Sequence, residues 1–336
     1  MDSNSFIERE LDQVEKCVSK LEHTSLVTCV PLMVRFHVEK TKYIALDICM
    51  QFPSGYPDEL MLVEFKSKTL PDKFFSGMLK VLEANRQDFV GHEQILLIVK
   101  FVLDFLDKNP LCFCAEEISN LKALLSSEED SLKVKQKSAS VTLTCNQDKY
   151  AVTCRIAIPS DYPDSQVTIE CSSCNFPHPL SIWLCAQATE IGRQCVNPPL
   201  TRKIKGKMVP VSKQELVPKP SLFPVGQFLI ENIKRYAREP CSLCKKPAFP
   251  SDPATAENTP DADKYVERVY CSHLFHHDCL DDYMKTPPFE GGKKCPACNQ
   301  VIYHEKWNVG ERVAEERWAH KQAKEREIDE VADFLS

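Results

Sequence analysis

The sequence predicts an α+β protein that consists of two similar units, a small cysteine- and histidine-rich module, and a C-terminal helix. Three observations predict this organisation. One hexapeptide occurs twice at a separation typical of a domain length, with strand-like and helix-like segments around each copy. One short segment holds cysteines and histidines at the spacing of metal ligands. The segment from Glu311 onward is densely charged and lacks glycine and proline, which is typical of a helix.

The composition limits the classes of function. The 336 residues are too many for one ordinary domain, and 43% hydrophobic residues allow each part to bury a core. A net charge of −6 argues against a nucleic-acid partner. The longest apolar stretch, residues 95–106, is interrupted by Lys100 and Asp104 and is too short for a bilayer, so no membrane span is predicted. Seventeen cysteines, an odd number without an export signal, indicate reduced thiols and a cytoplasmic and/or nuclear protein.

The repeated hexapeptide marks the two units. Pro-Ser-Gly-Tyr-Pro-Asp at residues 53–58 recurs as Pro-Ser-Asp-Tyr-Pro-Asp at residues 159–164. Runs of β-branched and apolar residues predict strands on both sides of each copy. The predicted strands are 43–52 and 60–65 around the first copy, and 150–158 and 166–171 around the second.

Helices are predicted at both ends of each unit. Ile7, Leu11 and Val14 share one face of the first helix, and Ser5 with Glu8 has the pattern of a capping box. The other predicted helices are 71–88 and 93–106 in the first unit, and 118–125, 180–195 and 224–238 in the second. The common order is a helix, antiparallel strands and two closing helices.

This order, together with the Tyr-Pro pairs at 56–57 and 162–163, resembles the RWD domain. That family is related to the ubiquitin-conjugating-enzyme fold, and its characteristic Tyr-Pro ends a strand. The resemblance implies two RWD-like binding modules. Active conjugating enzymes have His-Pro-Asn before the nucleophilic cysteine, whereas leucine follows the His-Pro pair at 178–179. Neither unit is therefore expected to be catalytic.

A proline-containing stretch at residues 196–221 carries six basic residues and one acidic residue. Such a run predicts a solvated loop or hairpin, and contact with an acidic partner is the alternative. The predicted domains are an RWD-like domain at 1–110, a second at 111–238, a zinc-stabilised finger at 239–304 and a charged helix at 305–336.

The strongest chemical signal lies between residues 241 and 298. Its candidate metal ligands are, in order, Cys241, Cys244, Cys271, His273, His276, Cys279, Cys295 and Cys298. Six thiolates and two imidazoles are enough for two tetrahedral zinc sites. Each Cys-x2-Cys pair places two thiolates on one tight loop, so the second ligand binds with little further loss of entropy. Because so short a segment cannot build a sufficient core, two structural zinc ions are expected to stabilise it.

The segment resembles a RING finger with two central histidines, in its Cys-x-His-x-Phe-His run at 271–276 and its Cys-Pro-x-Cys at 295–298. In that family the ligand pairs alternate in a cross-brace. The resemblance implies one zinc ion on Cys241, Cys244, His276 and Cys279, and the other on Cys271, His273, Cys295 and Cys298. A PHD finger, which binds histone tails, is the alternative, but that family has cysteine where His273 stands.

Two ligand questions stay open at this stage. His277 adjoins His276 and also fits the spacing, although the x2 step to Cys279 favours His276. A third metal site has a candidate set in Cys171, Cys174, His178 and Cys185. Their predicted positions on a strand and on an apolar helix face favour buried free thiols instead.

By the same resemblance, Leu243, Tyr283 and Pro296 form the shallow groove that receives a ubiquitin-conjugating enzyme (E2). The structural alternative for Leu243 and Tyr283 is that they only cover the zinc sites. Asn299 stands where active members often have arginine or lysine, and its uncharged, shorter side chain implies weaker or more selective activity. The resemblance implies no catalytic residue, because the conjugating enzyme carries the thioester.

Together the resemblances imply a RING-type E3 ubiquitin ligase that binds a ubiquitin-charged E2 and promotes transfer to a substrate lysine. Its partners would be an E2, ubiquitin, and an unknown protein substrate or scaffold held by the RWD-like units. The layout is similar to that of the Fanconi anaemia complementation group L ligases and of smaller RWD-plus-RING ligases. The alternative is a zinc-binding adaptor without ligase activity.

The C-terminal segment is predicted to form one charged helix with an apolar stripe. The stripe consists of Ile328, Val331, Ala332 and Leu335, at the spacing of one helix face. Docking on the protein's own domains is the expectation, and docking on a partner helix is the alternative.

Overall fold

The computed structural model describes residues 3–199, 201–204, 207–210, 217–307 and 309–335. The chain is a mixed α+β protein. It divides into two compact bodies, which are not the same as the two repeat units of the sequence. The first body comprises Met1–Leu143, Cys154–Glu170 and Gln187–Phe228. The second body comprises Thr144–Thr153, Cys171–Ala186 and Leu229–Ser336. No helix within the described ranges is both long and apolar enough to cross a membrane.

An antiparallel sheet in the order β1-β2-β3-β4 organises the N-terminal part. Its elements are α1 Ser3–Cys17, β1 Thr24–Val30, β2 Met33–Thr41, β3 Ile44–Gln51, β4 Leu62–Lys66, α2 Asp72–Ala84 and α3 Gln94–Lys108. Alternate residues of β2 and β3, such as Phe36 and Ile48, are buried because successive side chains of a strand point to opposite faces. Ile98 and Val102 of α3 belong to the same core.

A second four-stranded sheet follows, in the order β5-β6-β7-β8. Its elements are α4 Ala115–Leu124, β5 Ser131–Lys135, β6 Ser140–Gln147, β7 Tyr150–Ala157, β8 Thr168–Cys174, α5 His178–Val196 and α6 Leu222–Tyr236. The strands predicted before the two hexapeptides therefore fall on β3 and β7. The mixed α+β class and the sheet-and-helix plan predicted from the sequence are confirmed.

Two details differ from the sequence expectations, whereas the basic stretch agrees with the expected loop or hairpin. α1 begins at Ser3, so Ser5 lies within the first turn and does not precede it as a cap. α2 ends at Ala84 because Asn85 leaves the helical conformation, at φ −102° and ψ 20°. The basic stretch contains a hairpin of β9 Thr201–Ile204 and β10 Lys207–Pro210. Three charged residues of that stretch, Lys205, Lys213 and Glu215, lie outside the described residues.

The first Tyr-Pro pair belongs to a buried cap at the start of α3. The first amides of a helix have no partner within the helix and need one elsewhere. The Gln94 amide donates to the Tyr56 hydroxyl at 3.2 Å, and the Ile95 amide donates to Glu10 Oε1 at 2.8 Å. Tyr56 also donates to the Glu10 carboxylate. Burial raises the pKa of the Glu10 carboxyl, although these hydrogen bonds act against the rise.

The second copy of the hexapeptide has the same cap at the start of α6. The Leu222 amide donates to the Tyr162 hydroxyl and the Phe223 amide donates to Glu117 Oε1, both at 2.9 Å. Tyr162 donates to Glu117 Oε2 at 2.7 Å. Both Tyr-Pro peptide bonds, 56–57 and 162–163, are cis. The internal repeat therefore extends from six residues of sequence to a tertiary contact that joins three elements of each unit.

Replacing Tyr56 by phenylalanine is expected to lower the free energy of unfolding by about 2–4 kcal/mol, because it leaves the buried Gln94 amide and Glu10 carboxylate each one partner short. Urea unfolding followed by circular dichroism measures the change. Tyr43→Phe is the matched control: it removes a 2.7 Å hydrogen bond to Asp164 from a half-buried tyrosine and should cost about 1 kcal/mol or less. Equal losses for the two variants would contradict the capping role of Tyr56.

Candidate metal centre

The cysteine- and histidine-rich segment folds around very little secondary structure. Strands β11 Val266–Arg268 and β12 Leu274–His276 pair antiparallel, and helix α7 His277–Lys285 follows directly. The buried core is small and consists of Cys241, Val269, Phe275, Leu280, Cys295 and Ile302. Two of these six are candidate metal ligands. Metal ions therefore have to supply much of the stability of this segment.

The first cluster brings together Cys241, Cys244, His276 and Cys279, whose ligand atoms all lie within 4.8 Å of one another. The imidazole of His276 points Nδ1 at the thiols, 3.3 Å from Cys244 Sγ and 3.9 Å from Cys279 Sγ. Its other nitrogen, Nε2, lies 3.1 Å from the Pro247 carbonyl oxygen and donates to it when Nδ1 ligates a metal. Such a hydrogen bond fixes the tautomer and orientation of a metal-binding histidine.

The second cluster brings together Cys271, His273, Cys295 and Cys298, again with all ligand atoms within 4.8 Å. Here His273 Nδ1 lies 3.4 Å from Cys271 Sγ. The two clusters share the short segment 271–279, which contributes two residues to each. They are therefore interleaved along the chain, and the loss of one is expected to disturb the other.

Two matched backbone loops hold the Cys-x2-Cys pairs. In the first loop the Lys245 amide donates to the Cys241 carbonyl at 2.9 Å, and in the second the Asn299 amide donates to the Cys295 carbonyl at 2.8 Å. Lys245 and Asn299 both have left-handed backbones, with φ of 64° and 59°. Asparagine is among the non-glycine residues that tolerate this region best. The left-handed backbone after the last cysteine is therefore a conformation that Asn299 adopts readily.

The electrostatics of the clusters favour a bound cation. Burial by itself raises the pKa of the Cys241 thiol, but hydrogen bonds from His276 and backbone amides lower it to about 6. Burial and neighbouring thiols raise the pKa of Cys271 and of Cys279 to about 12. Three thiolates this close repel one another unless a divalent cation compensates their charge.

The donor sets fit two structural zinc ions. Each cluster offers three cysteines and one histidine, the soft and borderline donors that tetrahedral zinc prefers. All four positions are filled by protein side chains, so neither site keeps a position for a reactive water molecule. Zinc in this segment serves the fold rather than a chemical step.

The two open ligand questions have structural answers for the described residues. His277 turns away from the first cluster, and its Nδ1 lies 3.1 Å from Glu267 Oε1. The four residues of the candidate third site do not converge. Among the described residues, only the two clusters above have all their ligand atoms within 4.8 Å of one another. Cys171 Sγ instead lies 3.6 Å from the Ser173 carbonyl and 4.0 Å from Ser181 Oγ.

The four residues assigned to enzyme binding lie around the module. Leu243 and Tyr283 are half-buried and pack against its core. The Tyr283 hydroxyl donates to the Lys294 carbonyl at 2.9 Å. Pro296 and Asn299 are exposed. The covering role of Leu243 and Tyr283 is thus present, and contact of all four residues with an enzyme stays a prediction.

Aromatic contacts join the cysteine- and histidine-rich module to other elements of the second compact body. Tyr150 stacks on Phe176 with ring centroids 4.6 Å apart, and its hydroxyl donates to the Pro250 carbonyl at 2.9 Å. The Arg268 guanidinium lies 4.1 Å from the centre of the Trp183 ring. These contacts position the long loop before β11. They were not predicted, because single aromatic residues far apart in the sequence form no periodic or spaced motif.

Sequence reasoning also missed an ionic cluster centred on Glu267, on the strand β11. Its carboxylate lies 3.3 Å from His304 Nε2 and accepts from Lys306 Nζ at 2.7 Å, in addition to its contact with His277. The Trp307 indole donates to Asp281 Oδ1 at 2.8 Å. The segment 304–307, which precedes the C-terminal helix, is thereby fastened to the module. The only available signal was a charged residue at the inward position of a three-residue strand.

The fold and the two interleaved clusters define a zinc-stabilised cross-brace module. The family model for the zinc finger of C3HC4 type, the RING finger, matches residues 241–298, so this segment is a RING finger. The chain departs from the C3HC4 pattern at the fifth ligand position, where His276 replaces cysteine. No curated protein matches the chain. The match does not extend to the two N-terminal units, and their likeness to RWD domains stays a prediction.

Proposed function

We propose that this protein is a RING-type E3 ubiquitin ligase that binds a ubiquitin-charged E2 and promotes transfer of ubiquitin to a substrate lysine. The observation that carries the proposal is the RING finger at residues 241–298, because RING fingers commonly bind conjugating enzymes. Leu243, Tyr283 and Pro296 would contact the enzyme. The ligase supplies no nucleophile, and its rate enhancement comes from holding the enzyme, the ubiquitin and the substrate in a productive arrangement.

The two N-terminal units would recruit a protein substrate or scaffold as RWD-like modules, with domain boundaries at 110 and 238. Their support is the internal repeat, which places the same Tyr-Glu cap in both units. A cytoplasmic and/or nuclear location is part of the proposal. It is supported by the thiols, since all seventeen cysteines are free of disulfide bonds.

A zinc-binding adaptor without ligase activity is the second candidate, and Asn299 is the observation that favours it. Its amide offers hydrogen bonds without the charge and reach of the arginine or lysine that often occupies this position. The left-handed backbone at Asn299 further ties this residue to the loop geometry.

Leu243→Ala is expected to reduce ubiquitin transfer at least tenfold while both zinc ions are retained, because a half-buried leucine at a docking face contributes more than about 1.4 kcal/mol to binding. The measurement is discharge of a ubiquitin-charged E2 to free lysine across a panel of conjugating enzymes, with zinc quantified in the same samples. Leu32→Ala, which changes a leucine that is 82% exposed, is the matched control and should leave the rate unchanged. Wild-type protein that is inactive with every enzyme, but still binds a partner through the finger, would favour the adaptor.

A further inference from the structure

A groove of about 1000 Å³ lies between the RING finger and the start of the C-terminal helix, α8 Glu311–Leu335. Its apolar lining comes from Met284, Phe289, Ile302, Trp307 and Trp318. Large aromatic side chains in a concave surface are typical anchors of protein interfaces. The groove belongs neither to the zinc clusters nor to the residues assigned to enzyme binding.

The groove has a basic rim. Arg317 and Lys321 line it from α8 and are exposed. Over its whole lining the groove has five basic and three acidic residues, a net charge of +2. An occupant that fits this surface combines apolar side chains with negative charge.

The last part of the same helix has this chemistry. Residues 327–335 contain four acidic residues and no basic residue, a net charge of −4. The same segment holds the apolar stripe of Ile328, Val331, Ala332 and Leu335. The one stripe residue whose side chain is described, Ile328, is 58% exposed. The other three side chains lie outside the described residues, so the predicted docking of the stripe on its own protein is tested only at Ile328.

The chain cannot place this segment in its own groove. α8 is a continuous helix from Glu311 to Leu335, and each residue of a helix advances about 1.5 Å. Ile328 therefore lies about 15 Å beyond Trp318 along the axis, and Leu335 about 26 Å beyond it. An occupant of this composition has to come from another molecule.

We propose that two copies of this chain dimerise through α8 in antiparallel orientation, with residues 328–335 of each copy in the aromatic-basic groove of the other. A twofold axis near residues 324 and 325 places 328–335 of one copy opposite 314–321 of its partner. Such an interface is isologous, so both grooves are filled at once. The contact spans about 32 Å of helix and places the acidic residues of 327–335 in each copy against the net-positive groove lining of the other.

A charge swap in the full-length zinc-loaded protein tests this arrangement. The double variant Arg317→Glu/Lys321→Glu changes the net charge of the groove lining from +2 to −2. The triple variant Glu327→Lys/Asp329→Lys/Asp333→Lys changes the net charge of residues 327–335 from −4 to +2. Each variant alone brings like charges together and should weaken the dimer at least tenfold. An equimolar mixture restores opposite charges at both grooves and should recover the dimer. Sedimentation equilibrium up to about 100 μM measures all three samples.

Arg312→Glu is the matched control, since this side chain is 91% exposed, does not line the groove and has no counterpart in the antiparallel overlap. It should dimerise like the wild type, and every variant should retain two zinc ions. A monomeric wild type, undiminished dimers in the single variants, or a mixture that stays monomeric would each overturn the proposal. A monomeric wild type whose groove variants lose affinity for a conjugating enzyme would assign the groove to that enzyme instead.

Discussion

The variant Cys295→Ser should lose both zinc ions and unfold the RING finger. Cys295 is fully buried, and it belongs both to the second cluster and to the small core of the finger. A serine hydroxyl stays protonated at neutral pH and is a far weaker zinc ligand than a thiolate. Structural zinc contributes about 10–16 kcal/mol of folding free energy in small finger domains, which six buried residues cannot replace. Because segment 271–279 serves both clusters, the first ion is expected to leave with the second.

Zinc quantification after gel filtration and limited proteolysis measure this effect. The expected result is less than one zinc ion per chain, rapid cleavage after residue 238, a protected fragment covering residues 1–238, and no ubiquitin transfer. Cys174→Ser is the matched control, because it removes a thiol of the rejected third site and should leave two zinc ions bound. Two ions retained in Cys295→Ser, or cooperative unfolding of residues 1–238 as well, would contradict the assigned roles.

The RING finger could be predicted from the sequence because its information is local. A Cys-x2-Cys pair closes its loop within four residues, and the order of such pairs is visible without knowledge of the fold. The strands β3 and β7 were predictable for a similar reason, since each ends just before a copy of the repeated hexapeptide. The long charged helix α8 followed from the absence of glycine and proline after Gly310.

The tertiary contacts that complete these parts were not predictable. Glu10 and Tyr56 are 46 residues apart, and a glutamate on the inner face of an otherwise ordinary helix gives no signal that it caps α3. Even the sequence repeat conceals this contact, because the hexapeptide contains the tyrosines but not Glu10 or Glu117. Glu267 and Lys306 are 39 residues apart and meet because the segment 304–307 lies against β11 in the folded chain.

Asn299 can be interpreted in two ways, by its contact with a conjugating enzyme and by its backbone conformation. Its position after the last ligand suggests a weakened contact with the conjugating enzyme, by comparison with the arginine or lysine found in many RING fingers. The structure adds that this position has φ 59°, and that Lys245 has φ 64° at the matching place of the first loop. The left-handed backbone therefore accepts both asparagine and lysine, and the effect of Asn299 on ligase activity is a separate question for the transfer assay.

The variant Glu267→Ala should release the segment 304–307 from the finger without removing zinc. The Glu267 side chain is 8% exposed and meets three groups that are cationic or can become so. Burial by itself would raise its pKa, but hydrogen bonds from His304, Lys306 and His277 lower it to about 2. A fall from 4.5 to about 2 corresponds to about 3 kcal/mol of stability, which is complete above pH 4.5 and is lost as the pH falls toward 2.

At pH 7 the variant therefore loses this contribution in full, and Lys306 keeps its 2.7 Å contact with Asp261 and its place over the Tyr265 ring. Hydrogen exchange of the amides in residues 302–307 should accelerate about a hundredfold, since each 1.4 kcal/mol of local stability is a factor of ten. Glu305→Ala is the matched control, because this neighbouring carboxylate is exposed. If exchange is unchanged in Glu267→Ala, the segment is held by the Trp307 indole and its bond to Asp281, and Trp307→Phe should then produce the acceleration instead.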